Sequence, residues 1–168
     1  MKSFTLLAAV LAAVASASPI GKRAVFADTT FNDISISGGT AGNAEAEAQQ
    51  ALAGLPTDLT QVEKADLDFL NSVNQVANDA EKEAFNTAID AATGTEADSL
   101  QIGKIKNKVL KLTATVMKLQ AQQAQGEDVA DKLAEEQTKL ANNIKQDVAE
   151  AGNASTNVQF DGAISAGN

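Results

Sequence analysis

One row of residues constrains the fold more than any other. Ile102, Ile105, Val109, Leu112, Val116 and Leu119 follow one another at alternating three- and four-residue steps. This spacing lines one face of an α-helix, whereas same-side positions of a strand recur at every second residue. The row runs for about two and a half heptads, long enough to demand a partner surface along its whole length. Leu110 and Met117 widen the apolar arc, so other elements are expected to cover this helix on more than one side.

The flanking sequence supplies such elements. Residues 41–53 are rich in Ala, Glu and Gln and are stopped by Gly54 and Pro56. Thr60-Gln61-Val62-Glu63 fits a capping box. It opens a stripe of Val62, Phe69, Val73, Val76, Ala80, Ala84 and Ala88, flanked by Phe85 and Ile89. Asn78-Asp79 is a candidate break, and Thr93-Gly94-Thr95 ends the stretch. After Gly126, the acids Glu127 and Asp128 suit a helix start through the macrodipole. Val129, Leu133, Leu140, Ile144 and Val148 form its stripe up to Gly152.

The expected fold is therefore all-α, a single small bundle of four or five helices over residues 41–152. A short extended N-terminal arm is expected over residues 24–40, where Ile34 and Ile36 alternate with Ser35 and Ser37. Residues 153–168, rich in Asn, Ser, Gly and Ala, read as a flexible C-terminal tail. Phe31-Asn32-Asp33-Ile34-Ser35 is faintly echoed by Phe160-Asp161-Gly162-Ala163-Ile164-Ser165. Chance accounts for so short a match more readily than a repeat; if the echo is real, the two segments would pair as strands or pack across one end of the bundle. With no Cys in the chain, stability must come from helix packing alone.

Residues 1–17 read as a signal peptide: Lys2, an apolar run from Leu6 to Val14, and the small residues Ala15-Ser16-Ala17 at the cut. Residues 18–23 read as a short propeptide ending in the dibasic pair Lys22-Arg23, which places the mature N-terminus at Ala24. The expected location is extracellular. Removing Lys2, Lys22 and Arg23 leaves ten of the 13 basic residues against 22 acidic ones, a net charge of −12 with no Arg. Such a surface repels polyanions and lacks the usual bidentate phosphate ligand, so nucleic-acid binding is not expected. Nor does any later apolar run approach the length of a membrane helix.

Little catalytic chemistry remains available. The chain has no His, Cys, Tyr or Trp, which removes the commonest general base, the thiol nucleophile and the usual zinc ligands. A carboxylate pair is the one mechanism left, and the acids fall where hydrated helix faces need them. Asp66, Asp68, Asp79, Glu81 and Glu83 are hard oxygen donors, but their spacing lacks the loop of a calcium site and reads as a solvated face. The sequence thus implies a non-enzyme with no cofactor-binding or metal-ligating residues.

Two surface features stand out. Lys104, Lys106, Lys108, Lys111 and Lys118 cluster on the third helix, most of them away from its apolar stripe. Pairing with acids of a neighbouring helix is the simpler explanation; Lys104, Lys108 and Lys111 are the candidates for binding an acidic partner. Asn153-Ala154-Ser155 is an N-glycosylation sequon, with Asn153 as acceptor.

The leader, Lys22-Arg23 and the run Ile36-Ser37-Gly38-Gly39-Thr40-Ala41-Gly42-Asn43-Ala44-Glu45-Ala46-Glu47-Ala48 resemble the small secreted proteins of ascomycete fungi, described as effector-like or cell-wall-associated. The resemblance covers under a quarter of the chain. It implies secretion and action through protein contacts, at a host interface or the fungal surface, and supplies no catalytic residue. A more general likeness, in size and helical character alone, is to fungal hydrophobic-surface-binding proteins. It implies the alternative of a cell-wall protein that adsorbs to apolar surfaces or lipid.

Overall fold

The computed structural model describes residues 24–167. In chain order the elements are β1 (Thr29–Thr30), α1 (Phe31–Ile34), β2 (Gly39–Thr40), α2 (Ala44–Ala51), α3 (Lys64–Asp79), α4 (Asn86–Ala91), α5 (Thr95–Ala124), α6 (Ala130–Ala149), β3 (Ala154–Ser155) and β4 (Ala163–Ile164). A 3₁₀ turn at Leu59–Gln61 precedes α3, and a π-helical turn at Ala80–Phe85 joins α3 to α4. The architecture is the expected helical bundle.

The long helix α5 forms its axis and packs against α2, α3 and α6. Ile102, Val109, Leu112, Val116 and Leu119 of its stripe are buried, as is Leu110, while Ile105 and Met117 are half-buried. Coverage from several sides is thus the consequence of the wide apolar arc. The main core joins Val109, Leu110 and Ala114 to Leu70 and Val73 of α3, Ala44, Ala48 and Leu52 around α2, and Phe31 and Ile164 from the two chain ends. A smaller cluster of Val116, Leu119 and Leu133 seats the start of α6.

Four local expectations need correction. Thr60 does not cap α3: Asp58 accepts its amide at 3.1 Å and its hydroxyl at 2.6 Å, which closes the 3₁₀ turn instead. Helix α3 starts at Lys64, with Glu63 at the cap position. Asn78-Asp79 does not break the helix, because the chain continues through the π-helical turn. Such a turn holds one extra residue, which rotates the side chains beyond it about the helix axis. Phe85 is consequently fully buried, whereas Ala84 of the expected stripe is half-buried. Val148, the last stripe residue of α6, is 55% exposed, beyond the reach of the core.

The fourth correction concerns the ends. Residues 153–167 do not form a loose tail, and the arm is not wholly extended, since α1 interrupts it. β1 pairs antiparallel with β4 (Thr29 opposite Ile164), and β2 pairs antiparallel with β3 (Gly39 opposite Ser155). Between the two ladders the Ser35 hydroxyl donates to Asn157 Oδ1 at 2.8 Å, and the Phe160 amide donates to Asn32 Oδ1 at 3.2 Å. Phe31 and Phe160 meet edge to face at 6.0 Å between ring centres. The echoing segments thus lie side by side, yet Phe31 is fully buried on a helical turn and Phe160 is half-buried outside any element. Pairing supplies the backbone partners that a polar, Gly-rich tail otherwise finds in water.

The tail crosses α5 at Gly103. A Cβ there would lie 2.1 Å from the Thr156 carbonyl oxygen, so no larger residue fits. The Thr156 amide donates to the Ser99 carbonyl at 3.0 Å beside this crossing.

Candidate functional site

Three charged side chains, Asp66, Lys106 and Asp147, are buried, and each holds backbone groups between Val25 and Ala44. Asp66, in the first turn of α3, is 1% exposed and accepts the amides of Val25 at 2.8 Å and Phe26 at 3.0 Å. Phe26 is thereby seated on Phe69, stacked at 4.4 Å. Lys106 of α5 is 0% exposed; its ammonium donates to the carbonyls of Gly38 at 2.7 Å and Thr40 at 3.1 Å and pairs with Glu47 at 2.8 Å. Asp147 of α6 is 1% exposed and accepts the amides of Gly42 at 3.0 Å and Ala44 at 2.9 Å. It caps α2 from a distant helix, while the Asn43 side chain at the cap position makes no such bond. Gly42 itself has φ of +110°, and a Cβ there would come within 2.8 Å of Ala151. The Gly38-to-Ala48 run is thus clamped between a cation on α5 and an anion on α6.

The candidate partner-binding lysines lie on the opposite flank of α5, toward α3 and α4. Lys104 donates to Asn86 Oδ1 at 2.9 Å. Lys108 and Lys111 share the carboxylate of Glu81, at 3.3 and 2.7 Å. Burial pushes the Glu81 carboxyl up, but the Lys111 hydrogen bond and the charges of Lys111 and Lys108 outweigh it and hold the group below the ordinary value of 4.5. Lys118 donates to Asn71 Oδ1 at 2.9 Å. The structure therefore brings Lys108 and Lys111 together around one acid, with Lys104 one turn away. The Lys108 side chain keeps 34% of its surface and Lys111 16%, so this flank presents a partly neutralised strip.

The sequon lies at the rim of an open groove of about 590 Å³ where the start of α5 meets the end of α6. Ile102 and Ile105 form its apolar floor, and Asp98, Gln101, Glu150 and Asn153 its polar walls. Exposed Asn153 donates to Glu150 Oε2 at 2.8 Å. Ser155 is buried in β3 and donates its hydroxyl to the Ser37 carbonyl. The processing residues Ala17, Lys22 and Arg23 lie outside the described residues. Among the described residues no cluster of three or more His, Cys, Asp or Glu could hold a metal ion, and no helix is long and apolar enough to cross a membrane.

One family profile, a domain of unknown function (DUF8454), matches residues 26–159, nearly all of the folded part. The chain belongs to the DUF8454 family. No curated protein and no solved structure matches it. The DUF8454 match starts at Phe26, beside the residues held by Asp66, and ends just past β3. It spans all three buried charges and, apart from Val25, the backbone groups that they hold.

Nothing in composition marks Asp66, Lys106 and Asp147 apart from their exposed neighbours. Their one sequence signal is position: Lys106 falls one residue after Ile105 in the apolar stripe, and Asp147 three after Ile144.

Proposed function

We propose that this DUF8454 protein is a non-enzymatic secreted fungal protein that acts through protein contacts, at a host interface or at the fungal surface. The observation that carries this reading is the fate of the apolar stripes. Among the described residues, the large hydrophobic side chains left exposed are Val25 and Val148, at 47% and 55%. The helices cover one another, which leaves a polar surface suited to specific contacts and little apolar area for adsorption. The most buried carboxylates, Asp66 and Asp147, are engaged with backbone amides and act as clamps, which supports a non-catalytic role. The strip of Lys104, Lys108 and Lys111 is the first surface to alter, because none of the three side chains belongs to the buried core.

The test combines two measurements on a C-terminally tagged chain from a fungus growing on its natural substrate. Intact mass should place the N-terminus at Ala24, with the protein in culture fluid or colonised tissue. The purified folded protein should remain in solution over hydrophobic beads. Recovery chiefly from the wall together with depletion onto the beads would replace this reading with the adsorbing one.

A further inference from the structure

Asp66 is a buried carboxylate held by two amide donors, and among the described residues it has no ion-pair partner. A buried charge without a counter-charge is costly, so a cation brought beside it has an unusually large effect. The donors come from Val25 and Phe26, the second and third residues after the dibasic pair Lys22-Arg23. Cleavage after Arg23 hydrolyses one peptide bond and leaves an α-ammonium group on Ala24. Successive backbone nitrogens lie about 3–3.6 Å apart. The Val25 nitrogen is 2.8 Å from Asp66 Oδ1, so the new ammonium falls within about 6 Å of the carboxylate. Ala24 is half-buried, and as a chain end it can turn inward to shorten that distance.

We propose that Asp66 is the receptor for the amino terminus created by propeptide removal, so that maturation tightens the arm onto α3. The proposal rests on the expected cut after Arg23. Before the cut, the Ala24 nitrogen is a neutral amide and Asp66 holds the arm by hydrogen bonds alone. After it, an ion pair joins them. Docking of the arm then carries with it β1, α1 and the strand partners of the C-terminal tail.

Three chains test this: residues 24–168 with a free Ala24 amine, the same chain acetylated at that amine, and the chain beginning at residue 18. Acetylation removes the charge and adds no residue, which separates electrostatics from steric interference. The expected result is a melting temperature for the free-amine chain about 3 °C above both others, with slower exchange of the Phe26 amide. In an Asp66→Asn background, which keeps an acceptor oxygen for both amides, the difference between free and acetylated chains should vanish. Equal stability of the free and acetylated chains, or a gap that survives Asp66→Asn, would overturn the proposal. Failure of the processing expectation shows separately, as secreted protein whose mass still includes residues 18–23.

Discussion

A lysine ammonium out of water needs an acceptor for each of its three protons. Lys106 finds them in the carbonyls of Gly38 and Thr40 and the carboxylate of Glu47. Lys106→Met keeps the apolar stem and deletes the donors, leaving two carbonyls and an acid without their partner. We expect a loss of roughly 2–3 kcal/mol by urea denaturation. Glu47→Gln should be destabilising as well, because it leaves the buried Lys106 ammonium without its counter-charge even though the two carbonyls still accept from it. Glu81 gives a pH signature. Its folded value lies below the unfolded 4.5, so its stabilising effect is present above that pH and is lost as pH falls through the folded value. The stability gap between the wild-type chain and Glu81→Gln should therefore be constant near neutrality and shrink below pH 4.5. A gap independent of pH down to pH 2 would mean that Lys108 and Lys111 do not pair with it in solution.

Helix α5 carries a glycine at 103, where an exposed helix interior would gain about 1 kcal/mol from Ala. The opposite sign is expected here. Gly103→Ala must displace the Thr156 carbonyl, and overpacking of this kind costs about 1–3 kcal/mol. Thermal melts give the net effect, and faster exchange of the Thr156 amide would place it at the crossing. The helices of the bundle, unlike α1, were legible in the sequence, because a stripe such as Ile102-to-Leu119 is a local pattern that burial must satisfy. The phase shift at Ala80–Phe85 was not, since one extra residue in a turn changes no composition and leaves Phe85 looking like a flank. The clamps were also hidden. Their partners are backbone atoms 41, 68 and 105 residues away along the chain, and backbone groups carry no sequence signal. Gly103 was silent for the same reason. Of the candidate contact surface, the sequence located the lysine cluster but not Glu81 as the acid shared by two of its members.

For the whole molecule, the two chain ends act as one antiparallel band wrapped on a helical bundle. The band contains four two-residue strands, too short to be stable on their own. What holds it is the set of buried charges on α3, α5 and α6, together with Phe31 and Ile164 in the core. The arm and tail should therefore unfold with the bundle and not before it, giving a single cooperative transition without any disulfide. On the function proposed above, such a body would offer a partner a fixed polar surface in place of a deformable apolar one. Native-state amide hydrogen exchange across residues 24–167 tests this most directly, because it reads each backbone group separately. The expected result is that the amides of Phe31, Ala44 and Thr156 exchange at rates set by the same global opening as those in the middle of α5. If the arm and tail amides exchange freely while α5 stays protected, the ends are not clamped and the band is not part of the cooperative fold.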